Sequence, residues 1–232
     1  MPRYFLSDPQ QSLLVKTDKT PVILLPENRL TETVINGISE RSLIEWVREQ
    51  MLVWTKDKVF LDIGAHTGTY SLLLNNMCNH VYAFEPQKST YYALCGGVAL
   101  SGAQNITCWN FGLGSVAQAG YKQLNIISED GGGSTINHVS NPIAIETIEV
   151  RTLDMCRGFI KGKIGFIKMD VEGNELEVLK GAQQTLRENE LPPILFEENG
   201  DVTAIKEFLK NTLNYKEVLQ INGYSNMYLA IH

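Results

Sequence analysis

Short apolar runs rich in β-branched and aromatic residues alternate with helical patterns along most of this chain, and that alternation restricts the fold more than any other feature. Val59 to Ile63 precedes a helical pattern from Tyr70 to Leu74. Val81 to Phe84 precedes another from Gln87 to Ala99, and Asn105 to Phe111 forms a third run. Further on, Ile164 to Met169 leads into a helix through Leu176, Leu179 and Leu186, and Ile194 to Phe196 into one through Ile205, Phe208 and Leu209. The runs begin roughly 22 to 30 residues apart, the spacing that a strand, a crossover helix and the next parallel strand require. Runs such as Ile164-Gly-Phe-Ile-Lys-Met169 are almost continuously apolar, as strands covered on both faces are. The end of the chain breaks the rhythm. Tyr215 to Ile221 and Met227 to Ile231 flank Asn222-Gly223, which predicts an antiparallel hairpin. The expected class is α/β: an open Rossmann-like sheet, mostly parallel with an antiparallel last strand, and helices on both faces.

Two segments stand outside this pattern. Pro9, Pro21 and Pro26 interrupt the first 25 or so residues, which read as irregular or short-stranded. From Glu27 to Leu52 the pattern is helical, with Leu43, Ile44, Val47 and Met51 on one face and Ser42 with Glu45 as a candidate capping box. Residues 1–52 are therefore expected to form an N-terminal strand and helix cap on a main domain spanning 53–232. Within that domain, Lys122 to Ile127 and Glu146 to Val150 bracket Gly131-Gly132-Gly133, which predicts a hairpin insertion at about 115–150 with a flexible tip.

The chain has 232 residues, 44% of them hydrophobic, a length of about one and a half ordinary domains. Its 20 Lys and Arg against 26 Asp and Glu, a net charge of −6, argue against a dedicated nucleic-acid binder. No run approaches the ~18 apolar residues of a membrane span, and the opening MPRYFLSDPQQ is too polar for a signal peptide. Cys78, Cys95, Cys108 and Cys156 form no CxxC pair and read as reduced, mostly buried thiols. No membrane partner and a cytoplasmic location are the expectations.

The chemistry gathers at the ends of the expected strands, where open α/β sheets bind ligands. Asp62-Ile-Gly64-Ala65-His66-Thr-Gly68 follows a strand and opens a helix. Glycines there let a ligand approach the backbone, but the six-residue dinucleotide fingerprint fails, because from Gly64 its later positions fall on His66 and Thr69. Glu85 ends the next strand, 23 residues after Asp62, and is followed by Pro86. An acid about 20 residues beyond the first loop is placed to accept hydrogen bonds from ribose hydroxyls. Asp170-Val-Glu172 follows the fourth parallel strand, where carboxylates can orient a hydroxyl, act as a base or hold a cation. Asn174 is a candidate N-cap, with Glu175 and Glu177 assigned to the helix start. Glu197 and Glu198 end the fifth strand, and only one of them can face a given side. His66 is the best placed histidine; His80, His138 and His232 carry less weight.

These residues resemble a known family. DIGAHTGTYS, AFEPQ, NFGLGS, RTLDM and FIKMDVEGNELEVLKGA are similar to the motif series of the FkbM-type S-adenosylmethionine-dependent methyltransferases, over roughly Val59 to Leu195. The glycine loop alone is common to many methyltransferases; DVEGNE followed by LKGA is more specific. His66 stands where the family often has Asn. The resemblance implies a seven-stranded methyltransferase sheet and S-adenosylmethionine as cofactor. It implies that Asp62, Gly64, Ala65, His66 and Gly68 hold the methionine part, and that Glu85 and Pro86 meet the ribose. Asn110, Phe111 and Gly112 would line the adenine side, and Asp170 and Glu172 would face the reacting methyl.

The implied activity is O-methylation of a hydroxyl on a sugar, glycan or small metabolite. Asp170 or Glu172, and less readily His66, would take the acceptor's proton. A divalent metal on Asp170, Glu172 and Glu197 or Glu198 suits this chemistry, yet no metal-ligand spacing supports it. The alternatives are a non-catalytic nucleoside-binding or interaction protein on the same fold, and an RNA cap or ribose methyltransferase. The acceptor and the oligomeric state are not legible.

Overall fold

A computed structural model describes residues 3–5, 21–26, 38 and 40–232. In chain order its elements are β1 (Arg3–Phe5), β2 (Leu24–Pro26), α1 (Arg41–Trp54), β3 (Val59–Ile63), α2 (Thr69–Leu74), β4 (His80–Phe84), α3 (Lys88–Ser101) and β5 (Ile106–Trp109). Then come β6 (Gly112–Leu113), β7 (Gly120–Ile126), β8 (Ala144–Arg151), α4 (Leu153–Cys156), β9 (Ile164–Met169), α5 (Glu175–Lys180) and α6 (Gln183–Glu188). The chain ends with β10 (Ile194–Glu197), α7 (Thr203–Glu207), β11 (Glu217–Gln220) and β12 (Met227–Ile231).

The central sheet has seven strands in the order β11-β12-β10-β9-β3-β4-β5. Pairing is parallel from β10 through β9, β3 and β4 to β5. Only β12 runs the other way, antiparallel to both β10 and β11, as the terminal apolar runs led one to expect. Alternation along each strand sorts its residues to two faces. Val59, Leu61, Ile63, Ile167, Met169 and Phe196 pack with Leu153, Val178, Leu179, Leu186 and Ile205. Phe60, Val81, Phe166, Leu195 and Met227 pack on the other face with Leu43, Ile44, Val47 and Met51 of α1 and Tyr70 and Leu74 of α2. Each large apolar side chain buried this way contributes about 1.5–3 kcal/mol.

The α1 face anticipated from the sequence is the buried one, but the start of the helix differs. Glu40, in a left-handed conformation (φ 57°), precedes the helix and makes no side-chain cap. Ser42 lies inside the helix, and Glu45 pairs with Arg41 at 2.8 Å instead of closing a capping box. The expected helical residues 27–37 lie outside the described residues. At its far end α1 presses on β9, where a Cβ on Gly165 would overlap the Trp54 carbonyl oxygen. Gly165 is the extra residue where the β3–β9 register shifts, between Val59↔Ile164 and Phe60↔Phe166.

The single helix expected through Leu176 and Leu186 is two. Between α5 and α6 the Gly181 carbonyl accepts the Asp154 N–H (3.0 Å), and Asp154 Oδ1 accepts the Thr185 N–H (2.7 Å) at the start of α6. The insertion forms its own three-stranded sheet, β6-β8-β7, with a seven-pair antiparallel β7–β8 ladder. All four cysteines are free; Cys156 is buried and the other three are half-buried. Among the described residues, no helix is long and apolar enough to cross a membrane.

Candidate active site

A cavity of about 800 Å³ opens over the carboxyl ends of β4, β3, β9 and β10. Gly64, Ala65, His66, Glu85, Pro86, Gly112, Asp170 and Glu172 line it, so residues far apart in sequence meet in one place. Asp62, Gly68, Asn110 and Phe111 do not line it.

Each of those four has another position with a physical reason. Asp62 has no exposed surface, and its Oδ2 accepts the Ser71 N–H (3.0 Å) and hydroxyl (2.6 Å), tying α2 to β3. Burial pushes its carboxyl up, opposed by Lys168 and Ser71. A Cβ on Gly68 would overlap Leu94, so this glycine lets α2 approach α3. The Asn110 amide donates to the carbonyls of Glu85 (3.0 Å) and Pro86 (2.9 Å), shaping the turn that carries Glu85. Phe111 is packed between Phe84 and Trp109 under the Arg151 guanidinium.

The glycine loop is held from two sides. Gly64 (φ 75°) lies so close to the chain after β9 that a Cβ would overlap the Asp170 carbonyl oxygen. Its N–H and that of Ala65 donate to the Phe84 carbonyl (3.0 and 2.9 Å). His66 has φ 51°, a region that Asn and His tolerate better than most residues. Its N–H donates to Glu85 Oε2 (2.7 Å). Glu85 Oε1 accepts from the Gln87 N–H and the Thr90 hydroxyl, both at 2.9 Å. Burial pushes the Glu85 carboxyl up, and His66 with these donors pulls it back. Three donors fix its direction, both oxygens keep acceptor capacity, and the residue lines the cavity.

The insertion supplies one wall, with Leu124, Ile148 and Val150, and its glycine-rich tip is tied down rather than loose. His66 Nε2 lies 2.8 Å from the Asp130 carbonyl. A carbonyl only accepts, so Nε2 carries the proton and is engaged. The Gly133 N–H donates to Glu172 Oε1 (2.9 Å), the Thr135 hydroxyl to the Glu172 carbonyl (2.8 Å), and the Asn137 amide to the Gly173 carbonyl (3.1 Å). Glu172 thus anchors the flap; burial and the Asp170 charge raise its carboxyl, and Gly133 opposes them.

Three further residues, none assigned a role in the site from the sequence, line the cavity: Lys168, Tyr70 and Glu40. Lys168 is only 5% exposed; its Nζ donates to the Gly64 carbonyl (3.1 Å) and to Asp170 Oδ2 (3.3 Å) and lies over the Tyr70 ring. Burial alone would lower its pKa, but Asp170 and Asp62 outweigh it and hold the ammonium above its ordinary value. Tyr70 donates its hydroxyl to Glu40 Oε2 (2.8 Å); burial and Glu40 keep it protonated. A lysine inside an otherwise apolar run was the available signal, since an unpaired buried ammonium is rarely tolerated. Asn174 occupies the expected cap position without capping: its amide donates to the Leu113 carbonyl (3.2 Å). Glu175 instead accepts the Val171 N–H (2.9 Å), and Glu177 pairs with Lys180. Among the described residues, no three His, Cys, Asp or Glu side chains are placed to hold a metal ion.

Residues 62–221 match the family model described as the methyltransferase FkbM domain. The chain belongs to the FkbM methyltransferase family. Membership makes it an S-adenosylmethionine-dependent methyltransferase. It is 25% identical over 189 residues to the hexuronic acid methyltransferase AglP of Haloferax volcanii, covering 78% of this chain and 71% of that one. Among solved structures it is similar to SMU.1697c from Streptococcus mutans, solved in complex with SAH. The identity there is 12% and the TM-score 0.50, over 81% of this chain and 94% of that one. A ribosomal protein L11 methylase from Lactobacillus delbrueckii subsp. bulgaricus is 14% identical, with a TM-score of 0.48 over 84% and 81% of the two chains. The SMU.1697c match shows the shared fold.

Proposed function

We propose that this chain O-methylates a hydroxyl of a sugar, glycan or small metabolite. The observation that carries the reading is the division of one cavity. The loop after β3 and Glu85 after β4 line one half, and Lys168, Asp170, Glu172 and Glu197 line the other. The residues present fit the cofactor. A cavity of about 800 Å³ lies within the range of small-molecule sites. Glu40, Glu85, Asp130, Asp170, Glu172 and Glu197 outnumber Lys168 around it, a balance that favours a cationic guest.

S-adenosylmethionine, when bound, supplies an already activated methyl group. Glu85 would accept from the ribose hydroxyls, the 64–66 backbone would bound the methionine part, and Pro86, Gly112 and Ile148, which line the same cavity, would flank the base. The chain's remaining tasks are to align the acceptor oxygen and accept its proton. Lys168 holds Asp170 in one orientation, and the flap through Glu172 and His66 excludes water from the adenosine side. The name of the Haloferax volcanii relative supports a sugar acceptor. The acceptor is neither nucleic acid nor membrane lipid in this reading.

The test is transfer of a labelled methyl group to lysate separated into glycan, small-metabolite, RNA and protein fractions, with Asp170→Ala as control. Label in the glycan or metabolite fraction, lost in the variant, is the expected result. Label confined to RNA or protein overturns the acceptor class.

A further inference from the structure

The acids around the acceptor half of the cavity are not equivalent. Glu85 is held by three donors on the cofactor side. Asp170 Oδ2 is engaged by the Lys168 ammonium. Glu172 Oε1 anchors the flap through Gly133, and Glu40 Oε2 accepts from Tyr70. Each of the last three leaves its other oxygen without a partner among the described residues, so a free oxygen alone does not choose among them; Glu197 differs in standing at the end of β10, with neither a cation nor the flap on its carboxylate. Its Oε1 accepts from two neutral amides, Asn199 at 3.0 Å and Asn226 at 2.6 Å. Its Oε2 has no hydrogen-bond partner among the described residues, and the side chain lines the cavity.

Its place in the sheet sets its direction. Phe196 pairs with Met169, so Glu197 falls beside Asp170 where the two strands end. Alternation along β10 puts Phe196 on the α4–α7 face and Glu197 on the face of Leu195, with Lys168, Tyr70 and Glu40. In the sheet order, β10 lies beyond β9, on the side of β3 away from β4 and Glu85.

We propose that Glu197 is the general base that takes the proton of the acceptor hydroxyl. The inference rests on the O-methylation reading above. The O–H proton passes to Glu197 Oε2 while the acceptor's own oxygen bonds the methyl carbon. The pair of the breaking carbon–sulfur bond stays on sulfur, whose positive charge is cancelled; Glu197 then returns its proton to water. The charged groups that act on it are Asp170 and Glu172 from the turn after β9 and Glu40 before α1, and Lys168 of β9 lines the same cavity. Burial and Asp170 together push the Glu197 carboxyl up to about 7, with Asn199 opposing, the range in which a base works at neutral pH.

The test combines activity with a direct titration. Using the fraction that takes label from wild type, the saturated rate should rise with pH around a midpoint near 7. Glu197→Gln should lose about 10²–10⁴-fold in kcat together with that limb, with cofactor affinity by calorimetry changed less than about threefold. In carbon-13 spectra of glutamate-labelled enzyme without cofactor, one side-chain carboxyl titrating near 7 should vanish in Glu197→Gln. Glu175, also raised to about 7 but outside the cavity, should remain in both spectra. Should Glu197→Gln not fold, Asn226→Ala removes a donor to the charged form and should move the limb to higher pH. A limb retained in Glu197→Gln, or unmoved in Asn226→Ala, overturns the proposal while leaving methyl transfer standing. No label from wild type into any fraction overturns both.

Discussion

On the face of the sheet that carries α4 to α7, the inward residues of β3, β9 and β10 are all apolar: Val59, Leu61, Ile63, Ile164, Ile167, Met169, Ile194 and Phe196. On the α1 and α2 face, Asp62, Lys168 and Glu197 stand on the same three neighbouring strands, among Phe60, Phe166 and Leu195. The strands of the first face present no charge, and the buried Glu175 near it belongs to a helix start; the second face carries charges at its strand ends, of which Lys168 is ion-paired with Asp170. Burying ions costs several kcal/mol each unless they are matched, so the second face offsets part of what its own apolar cluster contributes, whereas the strands of the first face carry no such cost. Chemistry and cohesion are separated by the thickness of one sheet.

The difference can be broken in four places. The largest effect is expected at Gly64→Ala, whose new Cβ must displace the backbone after β9. A loss of at least about 4 kcal/mol in denaturant unfolding is expected, and a stable variant would show that the two strand ends are not in contact. Lys168→Met leaves Asp62 and Asp170 without their cation and should cost about 3–5 kcal/mol. Ile167→Val, the next residue on the apolar face, should cost only about 0.5–1.5 kcal/mol. Equal losses at the two positions would erase the distinction between the faces. Glu85→Gln should weaken cofactor binding by calorimetry about 10- to 150-fold, the worth of a charged hydrogen bond; unchanged affinity would remove Glu85 from the site.

The smallest effect is a sign. The Glu197 carboxyl sits at about 7 in the folded chain, above its ordinary 4.5, so folding strengthens its hold on the proton. Its stabilising contribution is complete below about pH 4.5 and is lost as pH rises through 7. Glu197→Gln should therefore melt higher than wild type at pH 8, with the gap closing at pH 5. A gap that does not change with pH would place this carboxylate in ordinary solvent.

The sheet and its reversed last strand were legible because their cause is local: apolar runs of strand length, spaced by helices, leave few other topologies. The α1 face was legible for the same reason. Asp62 was misplaced because a carboxylate at a strand end looks alike whether it faces a cavity or, as here, the backbone and hydroxyl of Ser71 nine residues on. Lys168 stood in plain view within FIKMDVEG, but its partners Gly64 and Tyr70 lie about a hundred residues away, and no periodicity reports such a meeting. The ties of the 128–134 tip were hidden for another reason. Glycine-rich composition describes how freely a loop moves unbound, whereas the hydrogen bonds to Glu172 and His66 decide how it rests.

Gly165 carries this separation to a point remote from the cavity. The carbonyl of Trp54 rests where its side chain would be, at one end of a helix whose other end is preceded by Glu40. Fourteen residues make α1 a rod about 21 Å long. A single methyl group added at Gly165 would therefore act as a wedge under a lever, prising up the near end and swinging Glu40 away from Tyr70.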